Sequence, residues 1–292
     1  MRVCIRVFGI VQGVGFRPTV KRHADACDIA GSVSNKGPYV EIFAEGSEEC
    51  VHSFIKQIQE EPPKRAVILK LDVENVESGE DGIHKVESET DSKEKFQIIE
   101  SEKEEGEIFV SPDIAICPEC KKELYDKNDR RYLHPFINCT CCGPRLTILD
   151  SMPYDRVRTS MGEFPMCEKC EYEYTHAETR RFDAQPVCCN DCGPEVYLLG
   201  RKERGADAIR YTRKVLSEGG IVAVKGIGGF HLCCDAAKEE TVARLRQRKK
   251  RPMKPFAVMM KDLDVVRREC ETEPHLEEIL DGHQKPIILL PK

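Results

Sequence analysis

Apolar and polar residues alternate with period two from Arg2 to Gly9, the pattern of a strand with one buried face. A turn with glycines at 13 and 15 follows, and then a stretch from Phe16 to about Cys27 that suits a helix. Two short strands are expected around 32–35 and 39–44, joined through Lys36-Gly37-Pro38. Ser47 is placed to cap a helix running to Gln59, with Val51, Phe54, Ile55 and Ile58 on one face, and Pro62 and Pro63 stop it. Residues 66–76 and 96–99 supply the last strands, so the order is β-α-β-β-α-β, that of a ferredoxin-like unit ending near Glu100. After about Arg201 the pattern becomes α/β, with a helix near 206–218, a buried strand from Ile221 to Val224 and another apolar strand from Phe256 to Met260. The expected class is a multidomain α+β protein, divided at 1–100, 101–200 and 201–292.

With 292 residues, 40% hydrophobic and 33% charged, the chain can bury real cores but divides them among several domains. No apolar run reaches the roughly 18 residues of a membrane span, and Met1 leads straight into the alternating segment instead of a signal peptide. A cytoplasmic protein without membrane contact is expected. The stretch from Glu77 to Glu107 is mostly Glu, Asp, Lys and Ser, the composition of a solvated loop and linker, and no binding role is read there. A formal charge of −6 gives no overall attraction to nucleic acid.

Sixteen cysteines without a signal sequence point to metal rather than disulfides. Cys117, Cys120, Cys139 and Cys142 recur fifty residues later as Cys167, Cys170, Cys189 and Cys192. The same offset carries Arg130-Arg131 onto Arg180-Arg181, Tyr132 onto Phe182 and Gly143-Pro144 onto Gly193-Pro194, so whole units are repeated. Each C-x-x-C knuckle offers two sulfurs, and two knuckles complete the tetrahedral sphere of a structural zinc ion with no position left for water. Two zinc ions are expected, held by sequential quartets or by an interleaved arrangement in which one repeat's knuckle joins the other's. Eight thiolates on two dications make the folded protein more acidic than its formula. Cys141 and Cys188 fall outside the frame, as do the remaining cysteines, which read as buried or idle thiols. The paired arginines leave RNA binding open as a minor alternative, opposed by acidic neighbours such as Asp126, Asp129, Glu171, Glu173 and Glu178.

Gln12, Gly13, Val14, Gly15 and Phe16 lie between strand and helix, where successive backbone N–H groups and the helix N-terminus converge on an anion. Arg17 adds a guanidinium to the same phosphate. An ordinary tight turn would look similar, and what sharpens the reading is Gly31-Ser32-Val33-Ser34-Asn35. An asparagine on a neighbouring strand can hold an attacking water in line with phosphorus. Together these motifs resemble acylphosphatases over residues 1–100, and the resemblance implies phosphate binding by Arg17 and water positioning by Asn35.

Lys225-Gly226-Ile227-Gly228-Gly229-Phe230-His231 follows a strand, a place where glycines suggest ligand contact. The basic run around Lys249, Arg251 and Lys254 reads alone as a solvated helix end, but Lys249, Arg251, Pro252, Lys254 and Pro255 match the K-x-R-P-x-x-K-P motif of the YrdC/Sua5 nucleotide-binding fold. That resemblance makes Lys225, Lys249, Arg251 and Lys254 candidates for holding the phosphates of ATP.

Acylphosphatase, paired fingers and YrdC in that order resemble the HypF-type carbamoyltransferases, as do Asn138-Cys139-Thr140, Gly143-Pro144-Arg145, Pro153-Tyr154-Asp155-Arg156 and Arg180-Arg181-Phe182. The resemblance implies hydrolysis of carbamoyl phosphate at the first domain, adenylation of the carbamate with ATP at the third, and transfer of carbamoyl to a cysteine of HypE for the cyanide ligand of nickel-iron hydrogenases. The chain stops at Lys292 inside the third domain, so acyl-phosphate hydrolysis is expected of it and the complete transfer is not. The competing reading is a zinc-dependent protein- or RNA-interaction module with an inert or stand-alone acylphosphatase domain.

Overall fold

In the computed structural model, which describes residues 1–76, 95–102 and 111–292, the alternating segment forms β1 (Arg2–Ile10) near the middle of a five-stranded sheet. The other elements of that region are α1 (Phe16–Ala26), β2 (Ala30–Asn35), β3 (Tyr39–Glu45), α2 (Glu48–Glu60), β4 (Val67–Asn75) and β5 (Phe96–Ile98). The sheet order is β4-β1-β3-β2-β5, antiparallel except for β5, which runs parallel to β2. The first four strands are the ferredoxin-like sheet, and β5 extends it at one edge. Most of the acidic stretch read as a linker lies outside the described residues.

The core follows from period two meeting period 3.6. Val3, Ile5 and Val7 of β1 stand opposite Ala44, Ile42 and Val40 of β3, and all six are buried. Val20 and Ala24 of α1 and Val51, Phe54 and Ile58 of α2 are buried as well. The Phe54 ring meets Phe96 of β5 edge-on at 6.1 Å, which ties the extra strand to the core. Burying each of these valine, isoleucine and phenylalanine side chains contributes about 1.5–3 kcal/mol. Ser47 caps α2 by accepting from the Cys50 N–H at 3.2 Å, as its position in the sequence predicts.

The chain divides into two compact units, Met1–Asp113 with Phe136–Gly193, and Ile114–Pro135 with Pro194–Lys292. Each repeat opens on a short helix, α3 (Pro118–Tyr125) or α4 (Glu168–Thr175). The second unit adds α5 (Gly205–Ser217), β6 (Val222–Lys225), β7 (Phe230–Cys233), α6 (Glu239–Arg248), α7 (Leu263–Glu269) and α8 (Pro274–Asp281). Two expectations change in this unit. Residues 256–260 form no strand, since an apolar run without a pairing partner has nowhere to send its N–H and C=O groups. The strand expected to be buried at 221–224 is largely exposed, because β6 pairs with β7 alone in a two-stranded sheet. No described helix is long and apolar enough to cross a membrane.

Candidate active site and metal centres

The turn between β1 and α1 is shaped by Gly13 and Gly15, at φ 71° and 80°, in the left-handed region that other residues enter at a cost. Gly15 also serves as the N-cap of α1 with no side-chain cap, which leaves the helix's first N–H groups facing outward at the turn. Its α-carbon lies so close to Thr140 that an added Cβ would sit 2.6 Å from the Thr140 Cγ2. Arg17 follows one residue into the helix and is 7% exposed, while Asn35 at the end of β2 is 2% exposed. Val11, Gln12, Gly13, Arg17, Asn35 and the 183–186 segment are among the walls of one cavity of about 20 Å³. That is room for a water molecule.

All of the predicted phosphate and water residues except Val14 therefore line one cavity. The Gln12 side chain frames the turn: its Nε2 donates to Gly37 O at 2.8 Å, and its Oε1 accepts from Tyr154 N at 3.2 Å. The Asn35 Oδ1 is buried without a hydrogen-bond partner. An orphaned acceptor in a polar cavity is costly to keep unless something donates to it during function.

Arg17 is already engaged. Its Nη1 donates to Ser101 Oγ at 3.1 Å and to Asp155 Oδ1 at 3.0 Å, and its Nε lies 3.1 Å from Asp183 Oδ2. Burial alone works against the Arg17 charge, but Asp183 and then Asp155 hold its ionisation above the ordinary value. Burial likewise pushes the Asp183 carboxyl up, opposed by Arg17 and reinforced by Asp155.

Arg145 packs beneath the same turn, 1% exposed. Its Nε donates to Gly13 O, Nη1 to Cys142 O and Pro144 O, and Nη2 to Cys139 O and Thr140 O. Asp113 accepts from the Arg145 and Thr147 backbone N–H groups and fixes the start of this segment.

The cysteines form two quartets, Cys117, Cys120, Cys139 and Cys142, and Cys167, Cys170, Cys189 and Cys192, with ligand atoms in each within 4.8 Å of one another. The sequential pairing holds and the interleaved one does not. In the second quartet the sulfur separations are 3.8 Å for Cys167–Cys189, 3.9 Å for Cys189–Cys192 and 3.5 Å for Cys192–Cys170. Four sulfurs at the zinc–thiolate bond length of about 2.3 Å sit roughly 3.8 Å apart in a tetrahedron, so the arrangement fits zinc. Burial opposes ionisation of Cys167, but the Cys170 N–H and neighbouring thiols bring it down to about 7, toward the thiolate a metal requires. All sixteen cysteines are free of disulfides. Arg131 and Arg181 are 2% and 3% exposed, and Arg181 Nε donates to Asn138 O at 2.9 Å, so the second arginine of each pair is used inside the protein and withheld from phosphates.

In the second unit, Lys249, Arg251 and Lys254 lie on one turn held by Arg246, whose Nη1 donates to Arg251 O at 2.9 Å and Lys254 O at 3.0 Å. Arg251 lies over the Phe256 ring at 5.4 Å. Lys225, at the end of β6, turns its Nζ onto Gly226 O.

Residues 3–97 match the acylphosphatase family, 116–149 and 166–199 the HypF finger, and 214–292 the family described as telomere recombination. The chain is 48% identical over 297 residues to a probable carbamoyltransferase HypF of Methanocaldococcus jannaschii, covering 100% of this chain and 37% of that protein. It superposes on a crystal structure of full-length HypF in the phosphate- and nucleotide-bound form with a TM-score of 0.86 at 44% identity, covering 100% of this chain and 38% of that one. The chain belongs to the HypF family. It spans a little over a third of the length of these HypF relatives. Its front part is also 45% identical over 83 residues to an acylphosphatase of Caldivirga maquilingensis, covering 86% of that protein.

The residues that sequence reasoning left without a role are Arg145, Asp155 and Asp183, although the first two lie within motifs typical of HypF proteins. For Asp183 one signal was present. The fifty-residue offset carries Leu133 onto Asp183, both in left-handed backbone at φ 53° and 55°, so the repeat exchanges an apolar side chain for a carboxylate at the position that meets Arg17.

Proposed function

We propose that this chain carries the acyl-phosphate hydrolysing part of a HypF-type carbamoyltransferase, acting on carbamoyl phosphate. The N–H groups of Gly13 to Phe16 and the Arg17 guanidinium hold the phosphoryl oxygens, and Asn35 Oδ1 accepts a hydrogen bond from the attacking water. Water oxygen bonds to phosphorus as the bond from phosphorus to the carbamoyl oxygen breaks, releasing carbamate and phosphate. A mixed anhydride already has a good leaving group, so positioning and charge stabilisation suffice without a covalent nucleophile. The observation that carries this reading is the orphaned Asn35 Oδ1 in the cavity that Arg17 also lines.

In the complete reaction the carbamate is adenylated with ATP, with Lys225, Lys249, Arg251 and Lys254 holding the nucleotide phosphates, and the carbamoyl group passes to a cysteine of HypE in the cytoplasm. What supports this is the likeness to HypF along the entire chain. The eight cysteines of the fingers hold two zinc ions whose closed spheres serve folding. The domain limits implied are 1–100, 101–200 and 201–292. The test is phosphate release from carbamoyl phosphate: Arg17→Ala and Asn35→Ala are each expected to lose about 100-fold or more in kcat/KM, and undiminished release by either variant would overturn the assigned role.

A further inference from the structure

Neither carboxylate on Arg17 comes from the acylphosphatase domain. Asp155 lies between the two finger repeats and Asp183 within the second. A phosphate site with one arginine works by offering positive charge to a dianion, and here that arginine meets two carboxylates at 3.0 and 3.1 Å. The space around it holds little more than a water molecule. For a phosphoryl group to reach Arg17, at least one of the two acids has to surrender its bonds.

The acids cannot retreat far. Gln185 Nε2 donates to Asp183 Oδ1 at 2.7 Å, and Arg158 Nη1 donates to Asp155 Oδ2 at 3.0 Å. Gln185 is itself fixed, its Oε1 accepting from Arg156 N and Tyr174 O–H. Asp183 lines the cavity itself, and Asp155 stands on the other side of the Arg17 guanidinium, next to the lining residue Tyr154, so a carboxylate that gives up Arg17 stays close to the filled site and needs a new donor. A hydrocarbon substituent on the acyl carbon supplies none. An amino group supplies two N–H donors.

We propose that Asp155 and Asp183 are specificity residues of this site, admitting acyl phosphates whose acyl carbon bears an amino group and disfavouring those with an alkyl group. This rests on the proposed hydrolysis of carbamoyl phosphate and adds the means by which that substrate is chosen. A wall built to accept hydrogen bonds rejects an analogue lacking the donor far more strongly than an apolar wall rejects a change of shape.

The experiment compares kcat/KM for carbamoyl phosphate and acetyl phosphate in the full chain and in its Asp183→Asn, Asp155→Asn and Asp183→Glu forms, with zinc content measured on each sample. The intact chain is expected to favour carbamoyl phosphate. Asp183→Asn lowers the ratio of the two by about 10-fold or more, with carbamoyl phosphate losing and acetyl phosphate gaining, because a charge that competes for Arg17 is gone. Asp183→Glu keeps the charge and retains part of the preference. If Asp183→Asn fails to hold zinc, Asp155→Asn gives the same reading from the other acid. Equal changes for both substrates in every variant that holds zinc would mean that the acids only shape the fold, and the proposal fails while the hydrolytic reading stands. No turnover of either substrate by the intact chain would defeat both.

Discussion

Arg145 donates its Nε hydrogen to the carbonyl of Gly13, so the floor of the turn between β1 and α1 hangs from a side chain whose other donors are spent on the first finger's second knuckle. One guanidinium satisfies five carbonyls with almost no exposure to solvent. The knuckle of Cys139 and Cys142 is thereby tied to the turn proposed to hold phosphate. Arg145→Lys cannot reproduce this fan, since one ammonium has three donors from a single point. The expected result is a loss of about 3 kcal/mol in stability, from buried carbonyls left unpaired, and a fall in kcat/KM for acyl phosphate. Denaturant unfolding and phosphate release on the same preparation check it.

Gly15 is required twice, by its φ of 80° and by the methyl of Thr140 where its Cβ would lie. Gly15→Ala is expected to cost about 1–3 kcal/mol and most of the turnover. Thr140→Ser removes that methyl while keeping the hydroxyl that donates to Arg180 O and Phe182 O, each at 3.1 Å. Added to Gly15→Ala, it restores the steric share and leaves the backbone share, about 1–2 kcal/mol. Thermal melting of the two single variants and the double separates them.

Arg17→Gln leaves Asp155 and Asp183 facing one another without the cation between them. A loss of about 3–5 kcal/mol follows, and Asp183→Asn in the same chain recovers much of it without recovering turnover. The pH dependence has a definite sign. Burial, with Asp155 adding to it, already holds the Asp183 carboxyl above its ordinary range, and removing Arg17 raises it further. Folding thus favours the protonated acid, a contribution present below the unfolded pKa of about 3.9 and lost as pH rises through the folded value. The Arg17→Gln chain regains stability on acidification from neutral pH, measured as the shift in denaturation midpoint relative to the parent.

The second quartet has the same bearing on the cavity wall, because Ala184 and Val187 pack with Cys170 and Cys189 in one small core. Cys170→Ser is expected to lower zinc from two ions per chain to one. It also opens the remaining three thiols to alkylation, since a site of this kind is folded by its metal. Metal analysis with thiol counting reads both.

Much of this was legible along the chain. The period-two run of β1, the Ser47 cap and the duplicated cysteines are local patterns, and each is visible within a window of its own length. The pairing of Arg17 with Asn35 came from the resemblance of the glycine turn and the 31–35 strand segment to acylphosphatase motifs, since β3 stands between β1 and β2 and no local pattern joins them. What is held only by packing was hidden. Arg145 and Gly13 are 132 residues apart, and Arg17 and Asp183 166, so no spacing announces them. The apolar run at 256–260 resembled a strand because composition cannot report whether a partner edge is present, and β7 lay concealed beside a glycine-rich turn.

The fate of solvent oxygen during turnover distinguishes attack at phosphorus from every other route to the same products. When carbamoyl phosphate is hydrolysed in water enriched in oxygen-18, a water held by Asn35 in line with phosphorus places one labelled atom in each phosphate released, after correction for spontaneous breakdown. Unlabelled phosphate would mean that the bond between carbon and the bridging oxygen breaks instead, and Arg17 and Asn35 would not hold phosphate and water in the way proposed.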